Sequence, residues 1–215
     1  MSDCCSPRGY RQIFSERTAR ADARRYRRRG LDDVSRIIVQ LVRERGLADR
    51  TLLEVGGGVG AIEIELLKAG VSRAVSVELT PTYEEVAGSL LRDNGLEGRV
   101  ERRVLDFAQA GGDVAPADFV VLNRVLCCYP DMPLLAGVAA DHAQRALVLS
   151  FPNDRWWTRL AFTVVNFALR VTRRQFHIFL HPPRSIVTTA ERHGLRATYN
   201  EAGRIWQVVA LERTA

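Results

Sequence analysis

Hydrophobic positions along the chain fall into two alternating rhythms. Residues 9–29 form a polar, arginine-rich stretch of helical character that Gly30 would stop. From Asp32 to Gly46 the apolar residues Val34, Ile37, Ile38, Leu41 and Val42 recur at i, i+3, i+4, i+7 and i+8. That is the stripe of an amphipathic helix, with Asp32 as its cap. Short β-type runs then alternate with helical ones. Strands are predicted at Thr51–Val55, Ala74–Glu78, Val100–Leu105, Phe119–Leu122 and Arg145–Phe151, and helices at Ala61–Ala69, Thr82–Asn94, Met132–Gln144 and Ser185–His193. This alternation predicts an α/β fold, a parallel sheet covered by helices on both faces. Leu195–Tyr199 and Ile205–Glu212 follow one another with Ala202–Gly203 between them. They predict an antiparallel hairpin, which makes the sheet mixed at one edge.

One stretch departs from the rhythm. Between Phe151 and Ser185 lie many apolar and aromatic residues, among them Trp156, Trp157, Phe162, Phe167, Phe176 and Phe179. Leu160–Val171 is apolar nearly all round. It is too short to cross a bilayer and reads equally as a buried core helix or as cover for a pocket. The expected organisation is a helical extension over 1–31 and one α/β domain over 32–215, with an insertion at 153–182.

Composition narrows the function classes. A hydrophobic share of 47% suits a globular core. No run approaches the roughly 20 apolar residues of a transmembrane helix, and the absence of an apolar signal region reads as cytoplasmic. The net charge of +6 is concentrated at the start: residues 1–30 hold nine arginines against Asp3, Glu16 and Asp22. Such a segment would gather anionic partners, RNA included. Because Lys68 is the only lysine, arginine is also simply the default cation of this chain.

The chemistry begins at Glu54-Val55-Gly56-Gly57-Gly58-Val59-Gly60, between a strand and a helix. Glycines there allow positive φ and let a ligand approach bare backbone. In dinucleotide folds such a loop receives a pyrophosphate. Glu54 would repel one, but its charge suits a ligand with an ammonium group and a sulfonium, so the acid favours S-adenosylmethionine over NAD. Glu78, followed by Leu79, ends the next strand, where a carboxylate can accept from both ribose hydroxyls. Asp106-Phe107 follows the third strand, where the acid can accept from an adenine amino group while the ring packs on the base.

This ordered set, with the terminal hairpin, resembles the class I S-adenosylmethionine-dependent methyltransferases over roughly residues 35–212. The resemblance implies a Rossmann-like seven-stranded mixed sheet whose last strand is antiparallel, and it places Asn123 beside the methionine moiety. Asn123–Pro130, Leu149-Ser150-Phe151 and Phe179-Leu180-His181 are further similar to the magnesium-protoporphyrin IX methyltransferases. Those have a related aromatic insertion after the fifth strand and methylate a propionate. The chain departs from them at Arg124 and Cys128, where that family has Asp and a His thought to assist the chemistry.

On the acceptor side the candidates are Cys128 and Tyr129 as catalytic residues, with Arg124, Trp156 and Trp157 binding substrate. The expected acceptor is a small molecule, aromatic or anionic; a carboxylate would need no base. Two alternatives are an RNA methyltransferase using the arginine-rich start and a non-catalytic S-adenosylmethionine-binding protein. The pairs Cys4–Cys5 and Cys127–Cys128 have no CxxC spacing, and no metal site is expected from pattern. Were the N-terminal segment to fold over the pocket, the four thiols would make a soft site for zinc or arsenite.

Overall fold

The two central strands of the sheet bury consecutive side chains in opposite cores. Leu52 and Phe119 face one layer of helices and Leu53 and Val120 the other, and all four are solvent-inaccessible. Such strands read as continuous apolar runs because both faces are covered. Truncating Phe119 to alanine would cost about 4 kcal/mol.

The computed structural model describes residues 7–214. The chain runs α1 (Pro7–Ile13), α2 (Glu16–Arg29), α3 (Asp33–Arg43), β1 (Thr51–Val55), α4 (Ala61–Ala69), β2 (Arg73–Glu78) and α5 (Glu84–Asp93). It continues β3 (Val100–Val104), α6 (Phe107–Ala110), β4 (Ala117–Asn123), α7 (Met132–His142) and β5 (Ala143–Pro152). It ends α8 (Trp156–Val171), α9 (Pro183–Arg192), β6 (Leu195–Ala202) and β7 (Trp206–Arg213). The seven strands lie in the order β3-β2-β1-β4-β5-β7-β6, and β7 is antiparallel to both its neighbours. Helices α2–α5 cover one face, and α6, α7 and α9 the other.

The fold is thus the expected mixed α/β sheet, with local differences. The predicted 9–29 helix is broken at Phe14–Ser15. Ser15 is extended, and its Oγ accepts the Thr18 N–H at 3.3 Å, so it caps a new helix rather than continuing the old one. The antiparallel strand lies inside the sheet, leaving β6 as the edge. The 132–144 helix stops at His142 because Ala143 already pairs with Ala117 in the sheet. A 3₁₀ turn at Pro81–Tyr83 replaces the first turn of the 82–94 helix.

Candidate active site

Strand order reverses across β1, so the carboxyl ends of β1 and β4 frame a crevice. The glycine loop crosses it. Gly56 has φ of 68°, and a Cβ there would stand 2.6 Å from Val125 Cγ2. Gly57 lies flat on the acid before it: a Cβ would stand 2.6 Å from the Glu54 carboxyl carbon.

Glu54 is buried and accepts the Glu63 backbone N–H at 3.1 Å, in the first turn of α4. Burial, then the charge of Glu63, raises its carboxyl well above the usual range. Glu63, fully buried, is pushed up to about 7 by burial, against the pull of Arg102. Arg102, from β3, donates to Glu63 at 3.2 Å, to Ser76 Oγ at 3.2 Å and to Glu84 at 2.9 Å. Its guanidinium also meets the Gly58 carbonyl at 3.4 Å, so one cation braces the floor of the loop. Glu78 accepts the Gly58 N–H and is pushed up to about 7, chiefly by burial.

Along the third and fourth strands the remaining expected residues converge. Asp106 accepts the Ala108 N–H at 3.1 Å, capping α6, and the Tyr129 hydroxyl lies 3.1 Å from each of its carboxylate oxygens. Burial, then Asp106, raises the Tyr129 phenol above its usual value. Phe107 is buried against His142 with ring centroids 5.0 Å apart. Asn123 is pinned at both ends: Ser150 Oγ donates to its carbonyl at 2.6 Å, and its amide donates to Ser35 Oγ at 3.2 Å.

Arg124 turns with φ of 62°, donates to Asp32 at 2.9 Å and stacks over Trp206 at 4.9 Å. Burial raises the Asp32 carboxyl, but the Ser35 N–H and Arg124 outweigh it and hold it below the usual range. Cys128 lines the cavity. Cys127 is buried behind it, the sulfurs 3.8 Å apart, and the hydrogen bond with Cys128 lowers the Cys127 thiol. Cys4 and Cys5 lie outside the described residues. Among the described residues no group of three or more His, Cys, Asp and Glu side chains is placed to hold a metal ion.

The N-terminal helices roof the cavity. Tyr83 donates to Asp22 of α2 at 3.2 Å, and the Tyr10 hydroxyl of α1 donates to the Cys128 carbonyl. Phe176 is clamped between Tyr10 and Phe14, at 5.6 and 5.7 Å, which ties α1 to the segment after α8. That segment is strapped along the site: Phe179 N–H donates to the Cys127 carbonyl at 2.7 Å and His181 to the Tyr129 carbonyl at 2.9 Å.

The cavity has a volume of about 290 Å³, and its wall includes Glu54, the three glycines 56–58, Glu78, Leu79, Asp106, Phe107, Asn123, Arg124, Cys128 and Tyr129. Gly60 sits behind the wall as the left-handed residue that starts α4. Trp156 and Trp157 are not brought to the cavity; they stand on the solvent side of α8, and the Trp157 indole donates to the Arg204 carbonyl at 3.1 Å. Sequence reasoning missed Arg102, Tyr83, Tyr10 and Trp206, and it saw Asp32 only as a cap. The wall carries five acids, Asp22, Asp32, Glu54, Glu78 and Asp106, against Arg25 and Arg124. A chain of net charge +6 therefore encloses an acidic pocket. Several arginines of α2 are spent within the molecule, Arg25 on Asp22 at 3.0 Å and Arg27 on Asp93 at 2.7 Å.

No family model matches the sequence, and no curated protein does. Solved structures match closely in shape. An O-methyltransferase family protein from Burkholderia thailandensis superposes with a TM-score of 0.72 at 21% identity, over 96% of this chain and 63% of that one. The chain thus spans less than two thirds of that relative's length. Magnesium protoporphyrin IX methyltransferase from Synechocystis PCC 6803, solved with bound SAH, gives a TM-score of 0.70 at 18% identity, over 95% of this chain and 100% of that one. An O-methyltransferase family 2 protein from Planctomyces limnophilus, in complex with apigenin, gives 0.62 at 16%, over 86% and 63%. The fold is that of these methyltransferases.

Proposed function

We propose that the chain is an S-adenosylmethionine-dependent methyltransferase whose acceptor is a small anionic molecule, apolar or aromatic. The observation that carries this reading is the acidic wall around a glycine cradle at the strand crossover. The wall sets five carboxyl groups against two arginines, and a cationic cofactor would favour the ionised forms of the buried Glu54 and Glu78 where a pyrophosphate would oppose them. The cradle itself needs bare backbone, since a Cβ at Gly56 would strike Val125.

In this reading Glu54 and the loop receive the charged methionine end, Glu78 the ribose hydroxyls, and Asp106 with Phe107 the adenine. When bound, S-adenosylmethionine supplies a methyl group on a sulfonium with a good leaving group, which leaves the protein chiefly the task of alignment. Asn123, held by Ser150 and Ser35, is a rigid partner beside that end of the site. No histidine lines the cavity among the described residues, which suits an acceptor that is already anionic. Tyr129 keeps its proton on Asp106 and acts as a positioning residue for the adenine acid. Cys128 and Arg124 stand on the acceptor side, Arg124 with its Nε buried and without a partner among the described residues.

The test has two stages. Calorimetry is expected to give micromolar binding of S-adenosylmethionine and of its demethylated product; no binding would overturn the reading. Labelled cofactor is then screened against carboxylated aromatics, catechols and porphyrin precursors. Transfer to a catechol alone would remove the anionic acceptor and keep the enzyme.

A further inference from the structure

Helix α8 is amphipathic with its apolar side turned outward. Trp156, Leu160, Val164, Phe167 and Val171 recur at i, i+4, i+8, i+11 and i+15, so they form one stripe. Their exposures run from 56% at Leu160 to 70% at Trp156. The opposite side holds the helix to the protein. Thr158 is buried and donates to Asn153 at 2.6 Å, while Asn166 makes a reciprocal pair with Ile178 at 2.9 Å in each direction. These polar contacts fix the rotation of the helix, so the outward stripe belongs to the fold. An apolar face of this kind on a folded protein marks an interaction site.

We propose that α8 docks the protein on an anionic lipid bilayer, lying in the interface with its apolar stripe among the acyl chains. Charge selects this occupant. Residues 153–182 contain Arg155, Arg159, Arg170, Arg173 and Arg174 against the single acid Asp154. Arg159 is paired with Asp154 at 2.6 Å and Arg174 donates to the Gln12 carbonyl at 2.6 Å. Arg155 at one end of the stripe and Arg170 and Arg173 at the other would meet phosphate headgroups, while the tryptophan end sits at the headgroup level. A second copy of the chain would bring the same arginines against one another across a two-fold axis, which like-charge repulsion opposes. The helix has 16 residues, short of the roughly 20 that span a bilayer. No described helix is long and apolar enough to cross one.

Docking would place the strap that follows α8, whose Phe176 packs on Tyr10 and whose Phe179 and His181 bond the Cys127 and Tyr129 carbonyls, close to the membrane surface. An acceptor that partitions into lipid would then reach the site from the bilayer. That consequence rests on the proposed methyl transfer; the docking does not, and the two fail separately.

The test is flotation of the whole chain with vesicles of phosphatidylcholine containing a quarter phosphatidylglycerol, beside pure phosphatidylcholine. Wild type is expected to float with the anionic vesicles and to lose binding at high salt. Leu160→Glu/Phe167→Glu is expected to reduce the bound fraction roughly tenfold while the melting temperature and S-adenosylmethionine binding stay unchanged. Arg170→Gln/Arg173→Gln, which keeps the stripe, is expected to weaken binding to anionic vesicles only. The proposal is overturned if wild type does not float, or if the Glu variant floats equally. It is also overturned if wild type is a dimer that the Glu variant splits, which would give the stripe to a second copy.

Discussion

Arg102 on β3 and Glu63 on α4 meet at 3.2 Å with both side chains almost out of water, at 10% and 0% exposure. Their pairing joins the first helix after the glycine loop to a strand 39 residues later. The same guanidinium holds Glu84 and the Gly58 carbonyl, so a charge network braces the loop beside the apolar packing of Val59.

Removing the cation is therefore costly. Arg102→Met is expected to destabilise the fold by about 3 kcal/mol, because it strands a buried carboxylate. Combining it with Glu63→Leu recovers part of the loss, since the charge left alone is gone too. Urea denaturation of the two variants measures both effects; equal stability of Arg102→Met and wild type would show that the network contributes nothing.

The raised carboxyls set the pH response. Glu63 and Glu78 move from 4.5 to about 7 on folding, so the folded state holds more protons between those values. Their contribution to stability is present below about 4.5 and lost as pH rises through about 7. The ligand-free protein is expected to melt lower at pH 8 than at pH 6, as read by calorimetry. Ligand binding has the opposite sign. Ribose hydroxyls donating to Glu78 favour its ionised form, so S-adenosylmethionine affinity should rise by roughly tenfold from pH 6 to 8. A flat affinity profile would count against Glu78 as the ribose acceptor.

Tyr129→Phe separates positioning from base catalysis. Losing the hydroxyl leaves Asp106 without one partner, and the expected loss of cofactor affinity is about 1.5 kcal/mol, or tenfold in KM for S-adenosylmethionine. Turnover at saturating cofactor should stay within a few-fold. A collapse of kcat with unchanged KM would make the phenol a catalytic residue instead.

Phe176→Ala tests the roof. The ring is buried between Tyr10 and Phe14, and deleting it is expected to cost about 3 kcal/mol locally. Limited proteolysis should then cleave near Arg11 and Arg17 well before the sheet unfolds. Uniform protection of that segment in the variant would mean that other contacts hold the roof.

Legibility in the sequence followed the range of each interaction. The loop at Glu54–Gly60 was readable because tight turns demand glycine within a few residues, and helix α3 because Asp32 and its apolar stripe are local signals. Arg102 was not, since an arginine in a short strand gives no hint of Glu63, Ser76 and Glu84 around it. Asp32 announced its cap and concealed its second partner, Arg124, 92 residues away. In α8 the missing information was direction. The apolar stripe of α8 can be read in sequence, but not whether it faces core or solvent, and only Thr158 and Asn166 decide which side meets the protein. The same ambiguity put Trp156 and Trp157 among the substrate contacts, although they point to solvent.

Strand β7, which follows β6 in sequence, fills the gap between β5 and β6. On the ribosome, β5 must therefore wait with one hydrogen-bonding edge bare until residues 206–213 have left the exit tunnel. That edge includes Leu147–Phe151, an apolar β-rich segment whose unpaired backbone is a template for association with other nascent chains. Synthesis of this protein should be most dependent on chaperones in that interval, and slow translation of residues 153–213 would lengthen it.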